Sequence, residues 1–311
     1  MLTTPLIIDC DPGVDDAIAL LLAFASPELQ LLGITTVAGN VPLNLTQKNA
    51  RRICELANRA YVPVYAGCPR PLLRGLETAE HVHGTTGLQG ANLPEVPQVP
   101  LQPQHGVDFL IETLMGAIYP VTVATLGPLT NLAIALIKEP RIAPKIDELV
   151  FMGGAIGQGN VTPSAEFNIF VDPHAAQVVF SSGIPLTMIG LDITHQVLST
   201  PARLDLLRAI GTPVSQAAAD MLAFYGAEEV IRLGLPGSPL HDPCVIAYLI
   251  DPDLFTAEPL YVEVETISDR TLGRTIVDIH RASGRPPNMT VVRTVNADGV
   301  YQLLADRLRK L

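Results

Sequence analysis

The chain has 311 residues, 48% apolar and 16% charged, a balance that builds a large core and excludes intrinsic disorder. Acidic residues outnumber basic ones 31 to 20, for a formal charge of -11. That charge argues against nucleic acid or an anionic membrane as partner, since both need a basic patch. No stretch approaches the roughly 20 apolar residues of a membrane span, and the longest, Ala17 to Ala25, stops at Ser26-Pro27. Met1-Leu2-Thr3-Thr4-Pro5 lacks the basic start of a signal peptide. Cys10, Cys54, Cys68 and Cys244 are scattered without a CxxC and read as reduced thiols, so a cytoplasmic location is expected.

In chain order, Leu6-Ile7-Ile8 reads as a buried strand, followed by a helix from Val14 to Ala25. Leu29 to Val37 is a strand, Leu43 to Ala60 a helix and Val62 to Ala66 a strand. Pro94, Pro97, Pro100 and Pro103 recur at polyproline-II spacing and predict a surface connector. Helices are expected over His105 to Ile118, Leu129 to Ile137 and Pro173 to Ser181. The strands between them are Val121 to Leu126, Ile146 to Met152 and Ile184 to Leu191. Such alternation builds βαβ units, hence a Rossmann-like α/β fold with a mostly parallel sheet and helices on both faces. The C-terminal third departs from this, as a helical and strand extension. Ala202 to Arg232 and Pro239 to Leu249 read as helical. Leu260 to Ile267, Thr275 to Ile279 and Thr290 to Val295 read as strands, and Gly299 to Leu311 as a final helix. No composition shift marks a linker, so residues 1–311 are expected to form a single domain.

The first strand ends in Asp9-Cys10-Asp11-Pro12-Gly13-Val14-Asp15-Asp16. Capping the following helix needs one or two acids, and the other two have no evident structural reason. Like charges this close are costly without a counter-cation, and an all-oxygen ligand set selects a hard cation, Ca2+ or Mg2+. Open parallel sheets bind ligands beyond the carboxyl ends of their strands. Those ends carry Ala38-Gly39-Asn40, Leu126-Gly127-Pro128-Leu129-Thr130-Asn131, Gly153-Gly154-Ala155 and Asp192. The loop from Gly153 to Asp172 holds Asn160, Glu166, Phe167 and Asn168, whose amide and acid groups suit a polyhydroxylated ligand. In Pro239-Leu240-His241-Asp242-Pro243, Asp242 fits either an N-cap or a functional acid. His241 beside it is a candidate general acid, because an ordinary imidazole titrates near neutrality. His81 and His83 read as loop residues able to contact a ligand.

Taken together these segments resemble the nucleoside hydrolases, the inosine–uridine and pyrimidine nucleosidase family, in its His-containing subgroup. The motif DxDPGxDD, here Asp9 to Asp16, carries the resemblance, and the segments just quoted support it in order up to residue 243. The resemblance implies Ca2+-dependent hydrolysis of the N-glycosidic bond of a ribonucleoside, with uridine, cytidine or inosine as substrate. It implies Asp11 as the base that activates water, and Asp11, Asp16, Asp242 and the Leu126 carbonyl as Ca2+ ligands. Asp15, Asn40, Asn160, Glu166 and Asn168 resemble the ribose-holding groups. His241 resembles the acid for the leaving base, and His83 and Phe167 resemble substrate-pocket residues. Glu228 to Leu233 lacks the aromatic residues that family members often carry before His-Asp-Pro. A homo-oligomer, tetramer or dimer, is also implied. The alternatives are a riboside hydrolase for an unusual base, a haloacid-dehalogenase-type phosphohydrolase, and a catalytically silent Ca2+- or ligand-binding module. Pro12-Gly13-Val14 argues against the phosphohydrolase, and Asp11 together with His241 against the silent module.

Overall fold

The computed structural model describes residues 3–227, 230–231 and 234–311. Among these, nine strands form one sheet: β1 (Thr4–Cys10), β2 (Leu29–Thr36), β3 (Val64–Ala66), β4 (Leu101–Gln102), β5 (Val121–Thr125), β6 (Ile146–Met152), β7 (Leu186–Ile189), β8 (Phe255–Leu260) and β9 (Met289–Val295). Their order is β8-β9-β7-β6-β5-β1-β2-β3-β4. Every neighbouring pair is parallel except β8 with β9. From β1 the chain winds outward through β2, β3 and β4, then returns to the other side of β1 with β5. The strand order therefore reverses between β1 and β5, which makes their carboxyl ends the natural ligand crevice.

The period-two pleat sorts β1 between two cores. Leu6, Ile8 and Cys10 join the layer of helix α1 (Val14–Phe24), while Ile7 joins the opposite one. Helix α1 is buried along its whole length because it is covered on all sides. Helices α2 (Leu43–Leu56), Pro213–Phe224, Pro243–Ile250 and Ala297–Leu308 pack around it. On the other face lie helices Gly106–Gly116, Thr130–Lys138 and Pro173–Phe180. No helix among the described residues is long and apolar enough to cross a membrane.

The main departures from expectation lie at element ends and in the C-terminal third. Helix α2 stops at Leu56 rather than Ala60, and Asn58 sits at φ 53°, which ends helical progression. The helix expected from Pro239 begins at Pro243, because Ser238–Pro239 pairs antiparallel with Leu198–Ser199. The strand expected over Leu260 to Ile267 is two strands: β8, and Val262–Val264, which pairs with Thr275–Val277. Most of β8 carries no strand signal in the sequence, because it is an edge strand with Pro259 and no regular apolar alternation. The C-terminal extension is thus continuous with the sheet, since β9 lies parallel beside β7. The residues 94–100 form an irregular connector leading into β4. His83 and His81 lie on a one-turn helix, Glu80–His83, not in a loop. Part of Glu228 to Leu233 lies outside the described residues, as does the end of the helical stretch expected to reach Arg232.

Candidate active site

The four-acid run divides. Asp9 accepts hydrogen bonds from Thr35 Oγ1 (2.5 Å) and Asn131 Nδ2 (2.7 Å), so it has the structural job that the sequence did not suggest. It ties β1 to β2 and to helix Thr130–Lys138. Asp16 reaches back from the first turn of α1 and accepts from the backbone N–H groups of Asp11 (3.1 Å) and Gly13 (2.9 Å). It therefore closes the turn that starts its own helix. Asp11 and Asp16 are fully buried.

Asp11 is clamped. Its Oδ2 accepts from the Asn40 N–H at 2.6 Å, while its Oδ1 is buried with no hydrogen-bond partner. Gly39 and Gly127, which follow β2 and β5, press on the two carboxylate oxygens. A Cβ at Gly39 would stand 2.1 Å from Oδ2, and one at Gly127 would stand 2.3 Å from Oδ1. Only glycine lets both neighbouring loops approach so closely. Asn40 also donates to Asp16 Oδ2 at 3.0 Å.

Asp242 arrives from the other end of the chain. It occupies the N-cap position of helix Pro243–Ile250, yet its side chain caps nothing. That removes the capping explanation for it. Oxygens of Asp15, Asp16 and Asp242 lie within 4.8 Å of one another. This triad has Asp15 where the expected carboxylate ligands have Asp11, whose Oδ2 instead accepts from the Asn40 N–H. Asp15 Oδ1, like Asp11 Oδ1, is buried without a hydrogen-bond partner. Burial raises the pKa of all four carboxyls; the negative charge of neighbouring acids adds to it at Asp11, Asp15 and Asp242, whereas the hydrogen bonds Asp16 accepts pull it partly back, and Asp15 is pushed up to about 7. Crowded acids with orphaned oxygens fit a hard divalent cation, which would reverse those shifts. The Leu126 carbonyl faces the same space and accepts from Asn168 Nδ2 at 2.7 Å, which leaves it one lone pair.

These groups border a cavity of about 490 Å³. Asp15, Asn40, His83, Leu126, Asn160, Glu166, Phe167, Asn168, His241 and Asp242 all line it, whereas Asp11 and Asp16 lie behind its wall. Glu166 caps helix Phe167–Val171 by accepting from the N–H groups of Asn168 (2.9 Å) and Ile169 (3.2 Å), and it also accepts from Gly154 (2.9 Å). Its burial nevertheless raises its pKa to about 7. Asn160 Oδ1 accepts from the Phe167 N–H at 3.0 Å, which folds the long loop back on itself.

Burial drives both histidines toward the neutral form. Burial, helped by the charge of His81, lowers His83 to about 3. Its Nδ1 accepts from the Val14 N–H at 3.1 Å, so the ring proton sits on Nε2. Its approach to Asp15 (3.9 Å) is consequently not an ion pair. Burial first, then His195 and His83, pushes His241 well below the ordinary imidazole range. His241 Nδ1 lies 2.7 Å from Thr194 Oγ1, leaving Nε2 for the cavity. The near-neutral titration expected of an ordinary imidazole is therefore replaced by a buried ring that favours the neutral form.

The family model of the inosine-uridine preferring nucleoside hydrolases matches residues 6–302. The chain belongs to this family. It is 47% identical over 310 residues to the pyrimidine-specific ribonucleoside hydrolase RihA of Shewanella sp. (strain MR-7), covering 99% of this chain and 96% of that one. Among solved structures, the purine-preferring ribonucleoside hydrolase from Gardnerella vaginalis superposes with a TM-score of 0.91 at 35% identity, with 98% of each chain covered. A plant nucleoside hydrolase, the PpNRh1 enzyme, has the same TM-score at 33% identity and also 98% coverage of each chain.

For a nucleoside hydrolase, the informative residue that the sequence did not single out is Tyr225. It lines the cavity, hydrogen-bonds Asp15, and places its ring 5.1 Å from that of His83 and 6.5 Å from that of His241. An aromatic residue is thus present just before the stretch where one was sought. Met152, Val161, Glu77, Thr78, Ala79 and Val82 also line the cavity without having been expected to, and His81 lines it beside His83. The one available signal was position: Met152 ends β6, at the carboxyl edge where the other site residues cluster.

Proposed function

We propose that this enzyme hydrolyses pyrimidine ribonucleosides, uridine and cytidine, to free base and ribose with Ca2+ as cofactor. The observation that carries the reading is the buried group of Asp11, Asp15, Asp16 and Asp242 at a cavity that also holds His83 and His241. N-glycosidic cleavage develops positive charge on the ribosyl ring, as in other glycoside hydrolysis, and carboxylates stabilise that charge. Asp11 is the base for the attacking water, held in one orientation by Asn40 and the two glycines. Asp15, Asn40, Asn160, Glu166 and Asn168 hold the ribose hydroxyls, and Phe167 packs against the substrate. His241 in its imidazolium form protonates the departing base from Nε2 and returns to neutral imidazole, with Nδ1 held on Thr194 Oγ1, and His83 and Tyr225 flank the base. Asp11, Asp16, Asp242 and the Leu126 carbonyl, with Asp15 adjoining, would hold Ca2+, which supplies a binding point for the ribose diol and a more acidic water.

The pyrimidine preference is supported by the named activity of the RihA relatives. We further propose that residues 1–311 act as one domain, within a homo-oligomer, a tetramer or dimer, in the cytoplasm. The four free, buried cysteines are compatible with a reducing compartment. The test is base release from uridine, cytidine, inosine, adenosine and guanosine, before and after chelation. Uridine or cytidine should turn over fastest, activity should vanish on chelation, and Ca2+ should restore it. A purine nucleoside turning over fastest would overturn the base preference, and full activity after exhaustive chelation would overturn the cofactor.

A further inference from the structure

We propose that a second cavity binds the phosphate group of a small phosphorylated ligand and transmits that binding to the catalytic turn through Asn49. This cavity, about 400 Å³, lies between α2 and the segment 85–95. Lys48, Asn49 and Arg52 border it from the helix, and Thr85, Thr86 and Gln89 from the facing segment. None of these residues lines the carboxylate cavity.

The charge arrangement singles the cavity out. Lys48 and Arg52 stand one helical turn apart, where like charges oppose helix formation rather than support it. The chain carries a net charge of -11, so a concavity bordered by two cations runs against its overall field. Among the described residues the Lys48 side chain has no hydrogen bond or ion pair, and the Arg52 guanidinium donates only to the Leu93 carbonyl, at 2.8 Å. Arg52 Nε is buried without a partner. Glu95, an exposed residue at the same cavity, exerts its field on Arg52 but lies beyond ion-pair distance. Two cations, one a guanidinium fork, beside threonine hydroxyls and a glutamine amide form a donor set for a tetrahedral dianion. The volume leaves room for a sugar attached to that phosphate.

Asn49 connects this cavity to the chemistry. It is 1% exposed, and its Nδ2 donates both to the Pro12 carbonyl (2.9 Å) and to the Thr86 carbonyl (2.7 Å). Pro12 follows Asp11, and Thr86 lies three residues beyond His83. Gly87 seals the junction: a Cβ there would stand 2.7 Å from Asn49 Nδ2 and 3.1 Å from the Pro12 carbonyl. Drawing α2 and the 85–95 segment together around an anion acts directly on this bridge. Binding at either cavity must then alter affinity at the other by the same factor.

The test uses the metal-loaded protein, desalted free of excess cation, at constant ionic strength. Calorimetric titration with ribose 5-phosphate should show saturable binding that free ribose does not displace. Lys48→Gln combined with Arg52→Gln should weaken it at least about 10-fold, the scale of lost charge-assisted hydrogen bonds. Glu95→Gln, an exposed change that spares the fold, should tighten it. Inorganic phosphate in a parallel titration separates the two ligand sources: equal affinity identifies the bare anion, and tighter binding of the ester shows that the sugar is also read. Absence of saturable binding, binding unchanged in the double variant, or displacement by ribose would overturn the site. Saturating ribose 5-phosphate should shift the uridine KM at least about 5-fold in the wild type and not in the double variant, the lower range of ordinary site coupling. An unshifted KM would overturn the link through Asn49.

Discussion

Gly39→Ala tests whether the position of the Asp11 carboxylate controls turnover. The new methyl would lie 2.1 Å from Asp11 Oδ2, 2.9 Å from its Cγ and 2.9 Å from Pro128 Cδ. Side-chain carbons essentially never approach heavy atoms closer than 3.0 Å, so relief needs a displacement of about 1 Å. Pro128 blocks one direction and Gly127 packs on the other carboxylate oxygen, so the movement falls on Asp11 and on its 2.6 Å bond from the Asn40 N–H. A displacement of that size at a reacting group costs about 10²-fold in rate. Overpacking of this kind destabilises a fold by about 1–3 kcal/mol, which leaves a large domain folded. The assay is steady-state uridine hydrolysis beside a thermal melt. Gly116→Ala is the control, because a methyl there would meet nothing within 4 Å and the residue ends an exposed helix turn. A folded Gly39→Ala protein with kcat within about threefold of wild type would refute the argument, since such a rate leaves no room for the expected 10²-fold misplacement cost.

Asp11→Asn keeps the shape and one oxygen but removes the base, so kcat for uridine should fall at least about 10²-fold with nucleoside binding largely retained; near-normal turnover would transfer the role to Asp15, whose Oδ1 is also unpartnered. His241→Ala should slow uridine by about 10²-fold or more while sparing 4-nitrophenyl riboside, whose leaving group departs as an anion; equal loss on both substrates would assign His241 to positioning Asp242. In the cation-free protein, Asp9 and Asp15 have folded-state pKa values of about 7, above those of the unfolded chain. Their protonation supports the fold at low pH, and that support is lost as pH rises through about 7. The melting temperature of the chelated protein should therefore fall between about pH 5 and pH 8, and Ca2+ should flatten the slope; a rising melting temperature over that window would contradict the sign.

Local patterns were enough to expose much of this protein. Apolar runs such as Leu149 to Met152 mark strand ends buried on both faces, and β6, Ile146–Met152, ends on that run. Asp11-Pro12-Gly13 followed by Asp15 and Asp16 announces a strand-to-helix turn rich in acid, because turn geometry and helix polarity act over a few residues. The motif order carried the family. Most of Phe255–Leu260 was not legible, since an edge strand with a proline and exposed residues on both faces has no distinctive period.

Only the tertiary structure decided what each of these acids does. Asp9 and Asp11 are two residues apart in sequence, yet Asn131 and Thr35 take one into the sheet while Asn40, Gly39 and Gly127 hold the other at the site. Asp242 looks like a cap from its neighbours and caps nothing, because its partners Asp15 and Asp16 lie more than two hundred residues away in the chain. The charge state of His83 and His241 likewise follows from burial, a property of packing that no local window contains. Sequence determines which groups are available; their protonation and their partners depend on long-range contacts, and those exist only once the sheet has brought the ends of β1 and β5 together.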